Sequence, residues 1–297
     1  MSAWGLWIAH QPRSSPACRE LWCPPVREQD TLPGNAPSRP IYLTHVPRSG
    51  GTSVIRAFAA SIPTAHVYPN PLLDDTITAK LSASYLLSLP QARLTETKLF
   101  APHLPHAVSS LLEHLDVLTI TVLRDPVQRV RSVLDLMLGD DQTGNPQALE
   151  RMYDDSEWAH GWFVANQLAY YLGATPDQIW IPVPLNGSAE DQRRLQGQLG
   201  SIDALVSSAC RTLETIDVVG TTDDLDEFLG RLERRLGLHL TRKQGHRANR
   251  SRGRELTNAL RRRIAKATEA DREIYAYAQQ VLARQRTQSR RSTFLLG

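Results

Sequence analysis

Arg48, Ser49, Gly50, Gly51, Thr52 and Ser53 follow one another without a break, and together they hold what an anion site needs. Arginine supplies a permanent cation, and serine and threonine supply hydroxyl donors. Glycine lets backbone amides approach a phosphate closely. The stretch lies between an apolar run, Ile41-Tyr42-Leu43, and the segment Val54–Ala60, in which Ile55, Phe58 and Ala59 recur at helical spacing. The expected geometry is strand, glycine turn, helix start. The unpaired amides of a first helical turn then point at the ligand, and the helix dipole favours negative charge there. The phosphate loop GxxxxGK[ST] differs, because no lysine follows Gly51 and the cation precedes the glycines. The loop suits a nucleotide's phosphates but not Mg-ATP hydrolysis.

A second stretch agrees with the first. Val117–Leu123 is continuously apolar or β-branched, as in a strand buried on both faces, and it ends in Arg124-Asp125-Pro126. Asp125 suits an N-cap and Pro126 the first helical position. The helix that follows places Val127, Val130, Leu134 and Met137 on its core stripe, with Gln128, Arg129 and Ser132 sharing another face. Arg124, at the strand's carboxyl end, and Ser132 can then converge on one ligand, since ligands of open α/β sheets sit at that edge.

His45–Ser53, HVPRSGGTS, resembles the 5′-phosphosulfate loop of sulfotransferases, and Leu123–Ser132, LRDPVQRVRS, resembles their 3′-phosphate motif. The pattern is most similar to the branch that contains the heparan sulfate 2-O- and 6-O- and chondroitin sulfotransferases. Weaker likeness extends to Phe100–Pro105, to Val218–Asp226 and to a closing helix with Asp271 and Tyr275, so that it spans residues 41–282. The chain departs from the branch where Arg48 replaces a lysine, where Pro102-His103 replaces Gly-His, and where Asn166-Gln167 only loosely echoes an NxQ helix.

The resemblance implies transfer of a sulfuryl group from 3′-phosphoadenosine 5′-phosphosulfate to a hydroxyl or amine, leaving 3′,5′-bisphosphoadenosine, with no metal. Arg48 and residues Ser49 to Ser53 then hold the 5′ end, and Arg124 and Ser132 the 3′-phosphate. Arg247 and Arg250, within the arginine-rich stretch 231–254, close over the nucleotide. Arg48 also acts in catalysis. His103, just beyond the apolar run Leu99-Phe100-Ala101, is the expected general base, with His106 and His45 as rivals and His45 better suited to anchoring the loop. The competing interpretations are a P-loop-like nucleotide kinase, a non-catalytic nucleotide-binding module, and nucleic-acid binding through the arginines. The last ranks low because no aromatic residues interleave with them.

The elements that must position these residues alternate between strand and helix. That pattern implies an α/β fold with three layers, a mostly parallel sheet and helices on both faces; the resemblance narrows it to a P-loop-NTPase-like sulfotransferase fold. Of 297 residues 41% are hydrophobic and 22% charged, as in a globular protein. Residues 41–297 are expected to form a single domain, with 139–215 on the acceptor side, after a flexible Pro-rich extension, 1–40. Helices are expected at Glu157–Leu172, Leu195–Leu213 and Leu225–Leu236, and strands at Gln178–Val183 and Ile216–Val219. One long stripe runs through Leu256, Leu260, Ile264, Ala267, Ile274, Ala278 and Leu282.

No run approaches the ~20 apolar residues of a membrane span. The first residues lack the basic start and long apolar core of a signal peptide. Animal members of the similar branch carry a Golgi anchor, so a bacterial, cytoplasmic enzyme is expected. Cys18, Cys23 and Cys210 form no disulfide framework and no metal-ligand spacing. The acceptor is expected to be a small molecule, glycan or peptide, with no nucleic-acid or membrane partner. Asp140, Asp141, Glu150, Asp154, Asp155 and Glu157, if they border the acceptor mouth, would repel a polyanion.

Overall fold

Ile41 and Leu43 point to one side of a strand and Tyr42 to the other, and all three are completely buried. Burial on both faces is what a central strand of a parallel sheet requires. The computed structural model describes residues 37–70, 72–74, 76–138, 146–155, 166–179, 197–240 and 255–294. Within them, β1 (Ile41–Thr44), β2 (Val67–Tyr68), β3 (Leu99–Phe100), β4 (Leu118–Leu123) and β5 (Val218–Thr221) form one sheet in the order β2-β3-β1-β4-β5. Every pairing is parallel.

Helices cover both faces. Ile41, Leu43, Ile120, Val122 and Val218 pack against α1 (Gly51–Ala59) and, further along the chain, against Phe228 and Leu232. On the opposite face, Tyr42, Tyr68 and Phe100 pack beside α2 (Thr76–Leu81), α3 (Ala83–Ser88) and the 3-10 turn His106–Leu115, with α4 (Gln91–Glu96) contributing Leu94. The three-layer α/β expectation therefore holds, and the sheet is wholly parallel.

The remaining helices are α5 (Pro126–Leu138), α6 (Pro146–Asp155), α7 (Gln167–Gly173), α8 (Ile202–Thr215), α9 (Leu225–Leu236), α10 (Asn258–Ala267) and α11 (Glu269–Phe294). Val127, Val130 and Leu134 of α5 meet Leu149 and Tyr153 of α6 and Leu260 and Ile264 of α10. Leu123 and Val219 reach the layer of α7, α8 and α11.

Local chemistry moves several expected boundaries. The helix expected over Leu195–Leu213 is interrupted: residues 197–199 are helical, Gly200 turns to φ +83°, and a new helix starts at Ile202, where the Ser201 hydroxyl accepts from the amide of Ala204; residues 195–196 lie outside the described residues. The strand expected at Ile216 starts at Val218, since Asp217 is turned aside to accept from Thr119 and pair with Arg235. The single C-terminal stripe is split at Thr268, whose hydroxyl and amide both turn back to the carbonyl of Ile264. Gln178 and Ile179 lie in a turn rather than a strand, with Gln178 bonding Thr175 and Leu199. Residues 180–183 of that expected strand, and 157–165 of the expected helix, lie outside the described residues. So does the extension up to residue 36. Its last residues are docked, because Arg39 reaches Asp116 and the carbonyl of Pro40 accepts from Leu118. Among the described residues no helix is long and apolar enough to cross a membrane.

Candidate functional site

The strand order places a crevice between β1 and β4. The chain leaves β1 toward β2 on one side and leaves β4 toward β5 on the other. Adjacent strands with diverging exits mark the switch point where open α/β sheets bind ligands. Thr44 is in register with Thr121 and Leu123 with Thr221, so the Arg48 turn and the Arg124 turn emerge side by side.

Two glycines shape the first turn. Gly50 caps α1 at φ +90°, and a Cβ there would meet Thr222 Cγ2 at 2.9 Å and Val122 Cγ1 at 3.0 Å. A Cβ on Gly51 would fall 2.1 Å from the ring of His45. The glycines are thus imposed by the sheet end and by a buried histidine as well as by any ligand. Arg48 sits at φ 65°, a left-handed conformation that costs a non-glycine residue about 1–3 kcal/mol and gathers at functional sites. The amide of Ser53 folds back to the carbonyl of Gly50 at 2.9 Å. Ser53 therefore does not offer the amide expected of it. The amides of Gly50, Gly51 and Thr52 have no backbone acceptor among the described residues. Ser49 Oγ is fully buried at the turn and has no hydrogen-bond partner among the described residues.

The second stretch converges on the first. Asp125 caps α5 by accepting from the amide of Gln128 at 2.9 Å, and Pro126 opens the helix as expected. Ser132, 2% exposed, then comes under the turn, and Arg48 Nε donates to its Oγ at 3.1 Å across 84 residues of sequence. Arg124 is half-buried. Burial first, then the nearby charge of Arg131, lowers its pKa from the ordinary arginine value. Arg247 and Arg250 lie outside the described residues.

Three histidines gather at the ends of β1 and β3. His45 is buried with its ring 4.1 Å from that of His103, centroid to centroid. His103 Nδ1 lies 3.0 Å from the carbonyl oxygen of His45. A carbonyl only accepts, so Nδ1 carries the proton and Nε2 is left as the basic nitrogen. Burial, and then the charge of Lys80, pushes the His103 pKa down to about 4, so its imidazole is neutral at pH 7. His106 is also lowered to about 4 by burial, and its Nδ1 is 3.1 Å from Thr44 Oγ1. Burial first, then His103 and Lys80, hold the His45 pKa well below the ordinary histidine value, in keeping with the loop-anchoring role its sequence position suggests.

The sequence did not single out Lys80. It comes from α2, far from either motif, and its carbonyl accepts from the amide of His103 at 2.8 Å. Nor did it foresee the pairing of Arg129. Arg129 shares a helix face with Ser132, yet it is completely buried and meets Asp271 of α11 at 4.0 Å. Asp271 Oδ1 accepts from the amide of Ala169 at 3.1 Å and so caps α7. The hydroxyl of Tyr171 on α7 in turn donates to the carbonyl of His103 at 3.4 Å.

Two residues of the acidic span, Glu150 and Asp154, are engaged by another helix. Glu150 and Asp154 of α6 pair with Arg263 of α10, and Thr257 also contacts Glu150. Their charges are thus partly neutralised within a helix–helix contact. Asp140, Asp141 and Glu157 lie outside the described residues, as do Arg242–Arg254 of the arginine-rich stretch. Of its described arginines, Arg231 donates to the carbonyl of Val219 and Arg235 pairs with Asp217, which makes them structural. No group of histidine, cysteine and acidic residues among the described residues could hold a metal. No protein-family model matches the chain, and no curated protein matches it in sequence.

Proposed function

We propose that this chain is a sulfotransferase that moves a sulfuryl group from 3′-phosphoadenosine 5′-phosphosulfate to a hydroxyl or amine acceptor, on a fold of the P-loop-like sulfotransferase kind. The observation that carries the proposal is the hydrogen bond from Arg48 Nε to Ser132 Oγ. It draws a phosphosulfate-like loop and a 3′-phosphate-like helix into one crevice at the sheet's switch point. A strand-end arginine, Arg124, stands where a kinase would need a metal-binding carboxylate, which favours sulfuryl transfer over the kinase alternative.

The residues present fit such a nucleotide. Among the described residues Ser49 Oγ is buried without a hydrogen-bond partner and the amides of Gly50 to Thr52 lack backbone acceptors, and Arg48 and Arg124 bring guanidinium groups to the same turns. The nucleotide supplies a sulfuryl group already activated by a phosphate leaving group. Arg48 and the loop amides stabilise charge that grows on the 5′-phosphate side, a problem of positioning and electrostatics like phosphoryl transfer. Arg124 recognises the 3′-phosphate and so disfavours ATP, which lacks it. His103 Nε2 takes the acceptor's proton as its oxygen or nitrogen bonds to sulfur.

Arg124→Ala tests the assignment. It is expected to weaken 3′,5′-bisphosphoadenosine at least tenfold while AMP changes little, as measured by calorimetric titration. Equal losses for the two ligands would refute it.

His103→Ala is expected to lower turnover about a hundredfold with cofactor affinity nearly intact. Since the neutral ring is the base, the wild-type rate should hold on acidification until pH nears about 4. Stability moves earlier. The unfolded ring takes its proton near ~6.5 and the folded ring resists it, so stability is full above that pH and declines as pH falls toward 4. Unimpaired turnover in the variant would shift the role to His106.

A further inference from the structure

We infer that Arg131 is a second phosphate-binding arginine, which with Arg124 grips the 3′-phosphate from two sides. The inference rests on the sulfotransferase reading above and adds a residue to its binding site. From Arg124 the steps to Gln128 and then to Arg131 are four and three residues, which keeps them on one side of α5 and the turn before it. Side chains of a helix lean toward its N-terminus. Arg131 does so, because its Nη1 reaches Gln128 Oε1 at 3.5 Å, directed toward the end of the helix where Arg124 lies. Ser132, the next residue, touches Arg48.

Its surroundings are those of a held and partly dried cation. The Arg131 side chain is 16% exposed, and its Nε is buried with no hydrogen-bond partner among the described residues. Asp135, one turn on, lies 4.0 Å from that Nε and restrains the guanidinium without closing a hydrogen bond. Arg131 leans along α5 toward the turn that carries Arg124, and its positive charge, after burial, helps to lower the Arg124 pKa, so the two guanidinium groups repel each other. A dianion between them relieves that repulsion and gains charge-assisted bonds from two planar forks. A monoanion would satisfy only one of them. The pair would therefore favour a terminal phosphate over a phosphodiester or a bare ribose hydroxyl.

The test is calorimetric titration of the full chain with 3′,5′-bisphosphoadenosine, AMP and 3′-AMP. Arg131→Gln is expected to weaken the bisphosphate and 3′-AMP about tenfold or more and to leave AMP within about twofold. Arg131→Lys, which keeps the charge but loses the fork, should fall between. In the double variant with Arg124→Ala, the two losses should combine to less than their product, because both act on one phosphate. Melting curves of each variant separate binding from folding. Unchanged affinity of Arg131→Gln, or equal losses for AMP and 3′-AMP, overturns the inference while leaving the enzyme reading intact. A wild-type chain that distinguishes none of the ligands overturns that reading itself, and the inference with it.

Discussion

Arg48→Ala is expected to lower kcat for sulfuryl transfer by about a hundred- to a thousandfold, beyond any rise in KM. A positioned donor that meets charge only as the leaving group departs is worth that much in related acyl-transfer sites. Arg48 is well placed for such a role. Its backbone is held left-handed, and its Nε is fixed on Ser132, so the guanidinium is aimed before the ligand arrives. Preorganisation of this kind involves no rearrangement in the transition state. Arg48→Lys should retain much of the rate, since the charge remains while the bond to Ser132 is weakened. The measurement is steady-state kinetics with a panel of hydroxylated and amine acceptors, beside a melting curve to show that the variant folds. An unchanged kcat with a raised KM would make Arg48 a residue of ground-state binding alone.

Asp271→Ala is expected to give the largest loss of stability, about 3–5 kcal/mol. It would remove the counter-charge of Arg129 in a site where both side chains are wholly buried. The same carboxylate caps α7, so that helix loses its N-terminal acceptor as well. Asp271→Asn keeps an acceptor for the amide of Ala169 but not the charge, and should fall between. Denaturant titration measures this, with the loss read as a lower midpoint at an unchanged slope. A loss under about 1 kcal/mol would mean that water reaches the pair. Because Tyr171 of α7 touches His103, a surviving Asp271→Asn enzyme is also expected to lose turnover more than nucleotide affinity.

Local chemistry decided much of the molecule in advance. The β-branched run that ends at Leu123, the aspartate cap and the proline that follow gave the β4–α5 junction within a residue. The Arg48 loop followed from a strand pattern, two glycines and a helix pattern in immediate succession. Both signals depend on residues within one or two turns of each other, and capping, backbone freedom and side-chain periodicity act over that range. Alternation of strand and helix was likewise enough for the class of fold.

Only tertiary packing could bring distant pieces together. The sequence put Arg48 and Ser132 in separate motifs and gave no sign that their side chains would be bonded to each other. It gave no sign that the His45 ring would lie against that of His103, or that the His45 carbonyl would fix which nitrogen of His103 is basic. Lys80 carried no motif and reached the site only because α2 packs beside the end of β3. Arg129 read as one polar residue on a mixed face; its partner lies 142 positions on, in a helix the sequence drew as one stripe with its neighbour. Of the acidic residues expected to repel a polyanion if they border the acceptor mouth, Glu150 and Asp154 pair with Arg263. A charge in sequence has no fixed meaning until burial and partner are known, because the dielectric and the opposing charge set its effect. The sequence determined which groups exist and the local geometry that bears them; the sheet order and the packing of α2, α7, α10 and α11 decided which of them face one crevice and which neutralise each other elsewhere.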